Sequence, residues 1–252
     1  MALRVEWLDQ HRQLPKHSAL IFALPGVGNV GKVALESLVN LGESYHVARL
    51  HPIGLPPIAM LDEDGLLTPP HYSLQVTYAA TGESPILTLC GSSQPTDPMA
   101  QAILAHELMG FLNEQSVHTI IVLAGMADTP ERKETFVVAS SSAHRVDLEQ
   151  QGVNVRRDEP RSGAIGVAAL MASLGPIYNI NSCCAISTTL GSSGDARASH
   201  RLLQAVNQWF NLGFQIPEND HSWIRERLEV MAPVERDDLV AEMTNSHDGF
   251  YM

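Results

Sequence analysis

The 252-residue chain predicts an α/β fold, a mixed, largely parallel sheet covered by helices on both faces. Three observations carry that expectation. Short apolar runs such as 19–24 and 118–124 have the length of strands and little polar alternation, as strands buried on both faces do. Between them lie segments whose apolar residues recur at helical spacing. A composition of 44% hydrophobic and 17% charged residues supplies the apolar surface that a two-sided core needs.

Taken in order, residues 3–8 and 19–24 read as strands bounded by Asp9 and Pro25. A glycine-rich turn leads into a helix over 29–41, where Val30, Val33, Ala34, Leu38 and Leu41 recur at helical spacing and Gly42 closes the run. Residues 45–50 read as the next strand, making a right-handed, parallel βαβ unit. The Pro- and Gly-rich stretch 51–70, with Asp62, Glu63, Asp64 and Gly65 at its tip, predicts a small exposed hairpin. Strands follow over 72–79 and 86–90. Asp97 before Pro98 is an N-cap with proline at the first helical position, opening a helix to about Glu114. Next come strands over 118–124 and 135–139, helices over 143–151 and 164–174, and a strand over 183–189. Asp195 caps a helix running to about residue 212, and an amphipathic helix covers 220–231. One α/β domain therefore occupies 1–231, with a flexible C-terminal tail over 232–252.

Composition narrows the function. With 28 acidic against 16 basic residues the formal charge is −12, which rules out a broad basic face for nucleic acid. The start has no basic region leading into an apolar core, so export is not expected. No apolar run approaches the length of a membrane span. Cys90, Cys183 and Cys184 make no even disulfide framework and fit a reducing cytoplasm. The 11 histidines show no paired metal spacing, and Gly110 stands where the second histidine of a zinc helix beginning His106-Glu107 would belong. Neither metal nor cofactor is expected.

One motif carries chemistry that needs weighing. In Pro25-Gly26-Val27-Gly28-Asn29-Val30-Gly31-Lys32, the three glycines have dinucleotide-loop spacing between a strand and a helix. The acid that would hold a ribose is missing, because the following strand reads Arg49, Leu50, His51. As a phosphate loop the motif lacks its hydroxyl, since Val33 follows Lys32. Two readings stay open. The glycines permit positive φ and close strand–helix approach, or Gly26, Gly28, Asn29, Gly31 and Lys32 bind an anion at the helix N-terminus. The second reading admits a small-molecule enzyme with Ser92, Gln94 and Asp97 nearby. The serine turns Gly91-Ser92-Ser93 and Gly191-Ser192-Ser193-Gly194 lack nucleophile-elbow order, so no catalytic motif is complete and an enzyme is not expected. Asp97, Asp128 and Asp195 follow strands, and capping accounts for the first and last.

The chain closes with polar residues from Thr244 to a glycine hinge at Gly249, then Phe250, Tyr251 and Met252. This ending resembles the hydrophobic-Tyr-X motif with which proteasome activators and some assembly chaperones enter pockets between α-ring subunits. The turn Pro25 to Lys32, with Gly91-Ser92-Ser93-Gln94-Pro95, Leu123-Ala124-Gly125, Gly163-Ala164-Ile165-Gly166 and Thr189-Leu190-Gly191 in that order, is similar to the proteasome assembly chaperone family and its archaeal homologues. Val167-Ala168-Ala169-Leu170-Met171 departs from the family's glycine- and leucine-rich run. The resemblance implies a phosphorylase/hydrolase-like core, a homo-oligomer, no established catalytic activity, and the proteasome α-subunits or α-ring as partner. Phe250, Tyr251 and Met252 would be the docking residues, and the nucleoside phosphorylase-like enzyme remains the alternative.

Overall fold

The computed structural model describes residues 3–217 apart from 9, 11, 62–64, 83, 162 and 192–193, together with 222, 224 and 225. Eight strands make the main sheet: β1 (Arg4–Trp7), β2 (Leu20–Ala23), β3 (Glu43–His51), β6 (Tyr72–Tyr78), β7 (Ile86–Gly91), β8 (Thr119–Ala127), β9 (Thr135–Ala139) and β10 (Asn181–Thr189). The short β4 (Met60–Leu61) and β5 (Leu67–Thr68) pair separately as the anticipated hairpin. Spatial order is β1-β3-β6-β7-β2-β8-β10-β9. The middle four, β7, β2, β8 and β10, are parallel, and the strands outside them pair antiparallel.

Alternation along the buried strands builds two cores. Leu20 and Phe22 of β2, with Ile120 and Val122 of β8, face α2 (Pro98–Glu114) and α4 (Val167–Ser173) through Leu104, Leu108, Val167 and Met171. The intervening Ile21, Ala23, Ile121 and Leu123 face α1 (Val30–Leu41), α3 (Ser142–Gln150) and α5 (Ala196–Trp209) through Ala34, Leu38, Leu148, Leu202 and Val206. All four of these β8 residues are 0–1% exposed, which is why the run 118–124 reads as a strand without polar alternation. The caps are as the sequence indicates: Asp97 accepts from Ala100 N at 2.7 Å, and Asp195 from Ala198 N at 2.9 Å.

Two expectations need correction. β3 does not lie beside β2: β6 and β7 stand between them, and β2's parallel neighbours are β7 and β8. The chain pairs β3 with the later β6, so the first strand–helix–strand stretch spans the sheet rather than closing one local unit. The helix read over 164–174 begins only at Val167, because Gly166 has φ 100°, outside the helical region. Of the helix read over 220–231, only 222, 224 and 225 are described, as helical, with Ile224 buried. The tail lies outside the described residues. Among the described residues no helix is long and apolar enough to cross a membrane, and all three cysteines are free.

Candidate functional site

β8 pairs with β2 only through Val122 but continues beside β10 to Ala127. β2 has ended at Ala23, and the glycine-rich turn veers away. A cleft of about 610 Å³ opens there, at the carboxyl ends of the parallel strands. α1 leaves β2 on one face and α2 reaches β8 from the other, so this is the crevice where open α/β sheets hold ligands. Its walls come from the separate blocks singled out in the sequence: Pro25, Gly26, Val27 and Gly31; Gln94; Leu123, Ala124 and Gly125; Gly163, Ala164 and Ile165.

Two close approaches form the turn. A Cβ at Gly31 would lie 2.1 Å from the Leu123 carbonyl oxygen, and one at Gly125 would lie 2.3 Å from that of Val27. Both positions therefore require glycine for the turn to sit against β8. Gly28 has φ 60° and is buried against Thr189, and its carbonyl accepts from Asp195 N at 3.2 Å. Thr189 Oγ1 donates to Asp195 Oδ2 at 2.8 Å, so the cap of α5 also braces the turn from behind. Gln94 ties the front: its Nε2 donates to Pro25 O at 3.0 Å, and its Oε1 accepts from Val167 N at 3.4 Å, linking the turn to the start of α4.

The five candidate anion-binding residues are divided. Gly26 and Gly31 line the cleft, Gly28 is packed behind it, and Asn29 adopts φ 50° without capping α1 with its side chain. Lys32 is turned away, ion-paired with Glu36 at 3.3 Å, and lines a different cleft with His71 and Cys90. Of the polar neighbours, Gln94 reaches the cleft, while Ser92 lines the other one and Asp97 caps α2. Gly28 and Gly31 thus act through close packing, and the lysine of the motif is turned to the other cleft.

At the rim, Arg132 binds Asp128 at 2.8 Å, Glu134 at 2.9 Å and Glu159. Glu134 also takes Arg156 at 3.1 Å. The hydrogen bond from Arg132 holds the Glu159 carboxyl below its ordinary range, and the Thr129 amide, then Arg132, does so for Asp128. The arginine is saturated by acids rather than offered to an anion. At the lip, Val27 is 42% exposed and Ile165 95%. Inside, Leu24, Met126, Ala168 and Ile186 make the walls apolar, and burial pushes the Cys184 thiol up to about 12. An apolar cleft with apolar side chains at its lip suits a protein partner better than a phosphate. Sequence reading missed Gln94 as a tie and the Arg132 cluster, in which Arg156 and Glu159 join the local group Asp128, Arg132 and Glu134 only in space. Among the described residues no group of three His, Cys, Asp or Glu could hold a metal.

Comparison with known proteins places the chain in a family. The PAC2 family model matches residues 20–243, and the chain belongs to the PAC2 family. MJ1210 of Methanocaldococcus jannaschii is 24% identical over 205 residues, covering 81% of this chain and 78% of that protein. Among solved structures, Pyrococcus furiosus PbaB, described as an archaeal proteasome activator, matches with TM-score 0.72 at 20% identity, over 96% of this chain and 99% of that one. P. furiosus PbaA, described as an archaeal homologue of proteasome-assembly chaperone, matches with TM-score 0.70 at 19% identity, over the same shares. The shared fold is therefore that of PbaA and PbaB.

Proposed function

We propose that this PAC2-family chain is a non-enzymatic binding protein of the cytoplasm that docks on proteasome α-subunits, as an assembly chaperone or an ATP-independent activator of the core particle. One observation carries the reading: a chain folded like PbaA and PbaB also bears the hydrophobic-Tyr-X tripeptide Phe250, Tyr251 and Met252. Phe250 fills an apolar pocket between α-subunits, Tyr251 packs a rigid ring and offers one hydroxyl, and the Met252 carboxylate pairs with a pocket lysine. The six residues from Thr244 to Gly249, at about 3.3 Å each, reach roughly 20 Å, so the body stays outside the ring. Ordering the tail on binding would offset most of what three side chains gain. Useful affinity then comes from a homo-oligomer presenting several tails at once.

The test is co-elution of the purified protein with α-rings and with whole core particles, beside the Tyr251→Ala variant. Binding by the native chain and its loss in the variant supports docking through the tail. Equal binding by a chain truncated after Gly249 would refute it.

A further inference from the structure

Strands β6 and β7 are built differently on their two faces. Toward α2, Tyr72, Leu74, Val76, Leu87 and Leu89 are fully buried in the apolar core. Toward α1 the alternate residues form two cross-strand pairs, Ser73 with Cys90 and Gln75 with Thr88. These four floor the second cleft, whose volume of about 610 Å³ is in the range of small-molecule sites. Lys32, Leu35, Glu36 and Val39 of α1 make one wall, and Met60 and Thr68 of the β4–β5 hairpin another, while Leu61 and Leu67 of the hairpin are 69% and 74% exposed. The floor keeps hydrogen-bonding groups that the fold does not use. Thr88 is 2% exposed, yet among the described residues its hydroxyl has no hydrogen-bond partner, and the same holds for the side chains of Ser73 and Gln75. A strand face turned from water ordinarily carries apolar or paired polar groups, because a buried polar group without a partner is destabilising.

We propose that this cleft binds a free α-amino acid in its zwitterionic form, with the carboxylate on Lys32 Nζ, the ammonium on the Glu36 carboxylate and the side chain over Gln75 and Thr88. The charge pattern selects that class. Lys32 and Glu36, 3.3 Å apart with side chains 12% and 26% exposed, set one charge of each sign in the same wall. An anion would be drawn to Lys32 and repelled by Glu36, and a cation the reverse, so a single charge gains little. A zwitterion carries both charges on neighbouring groups and meets each with its opposite. Cys90 adds no charge, since burial, then the Glu36 carboxylate, pushes its thiol up to about 12. His71 has its Nδ1 bonded to Pro69 O at 2.9 Å. Past the ion pair, the hydroxyls of Ser73 and Thr88 and the Gln75 amide supply uncharged donors and acceptors, and Leu35, Val39 and Met60 supply apolar contact. That lining suits an amino acid whose side chain is uncharged and partly apolar.

The test needs no proteasome, so its result is separate from that of the docking experiment. Thermal unfolding of the full chain is followed with each of the common amino acids at about 10 mM. At least one is expected to raise the native melting temperature by about 5 °C, as a ligand at roughly a hundred times its Kd does. Its methyl ester and its N-acetyl form, each lacking one of the two charges, should give no shift. In titration calorimetry Lys32→Met and Glu36→Gln should each weaken binding by about tenfold or more. Thr88→Val, which replaces the hydroxyl by a methyl group of similar size, should weaken it several-fold while the ligand-free melting temperature stays unchanged. A native chain that no amino acid protects overturns the proposal. So does a shift that the ester and N-acetyl forms reproduce, or one that survives in both charge variants. Protection by glucose but by no amino acid overturns it as well, by assigning the cleft to an uncharged ligand.

Discussion

The cleft at the ends of β2 and β8 and the cleft under the β4–β5 hairpin each measure about 610 Å³, yet they are built from different materials. Glycine backbone, small residues of α4 and the apolar ends of strands line the first. The second sets charged and polar side chains of α1, β6 and β7, among them Lys32, Glu36, Gln75 and Thr88, beside Leu35, Val39 and the prolines 69–70. Both draw on the same eight-residue motif, which ends as α1 begins. Each helical residue turns about 100° from the last, so when Gly31 faces β8, Lys32 must face elsewhere. A lysine next to a packing glycine is thereby assigned to the other cleft, and the contrast shows how one sequence motif serves two sites.

Four substitutions bear on that contrast, three of them from the largest effect to the smallest and one, Gly26→Ala, the control for the first. Gly31→Ala sets a Cβ against the Leu123 carbonyl at 2.1 Å, where backbone on both sides must move. It is expected to destabilise by about 3 kcal/mol in denaturant melts. Gly26→Ala is the control, because the nearest atom to its Cβ is Leu24 O at 3.9 Å and its φ of −158° suits any residue; a change within about 0.5 kcal/mol is expected. Equal losses at the two positions would remove the packing account of the turn. Asp195→Ala loses the cap at Ala198 and the bond from Thr189, and should cost about 1–2 kcal/mol. Hydrogen exchange in that variant should rise at Gly28 and Asn29 as well as in α5; a rise confined to α5 would mean that the turn does not depend on this brace. Lys32→Met breaks only a partly exposed i,i+4 pair with Glu36, worth at most about 0.5 kcal/mol. Inorganic phosphate should leave the melting temperature of both native and Lys32→Met protein unchanged. A phosphate shift lost in the variant would restore the anion-binding reading of the motif.

Much of the fold was legible because its signals are local. Asp97-Pro98 and Asp195 mark helix starts by chemistry that operates within four residues, and both cap as read. The run at 118–124 announces a strand buried on both faces because its consecutive Ile120, Ile121, Val122 and Leu123 are all apolar and all buried. The hairpin at 51–70 follows from its Pro, Gly and acidic tip. The neighbours of β3 were not legible. A strand's partner is chosen by burial and register against strands far along the chain, and β3 pairs with β6 rather than with β2. The cleft was half legible. Its glycine blocks stand out in sequence, but Gln94 bonds to residues 69 and 73 positions away and Arg132 to Glu159 27 away, and nothing periodic marks these ties.

By itself the sequence determined the α/β class, the helix starts capped by Asp97 and Asp195 and the two-sided burial of the central strands, since each depends on residue type and short-range spacing. Only the tertiary structure decided that four scattered blocks meet at one cleft, that Lys32 serves another, and that the apolar residues of the hairpin remain uncovered. Those outcomes depend on which surfaces the packed sheet and helices leave exposed, and exposure is a property of the whole chain.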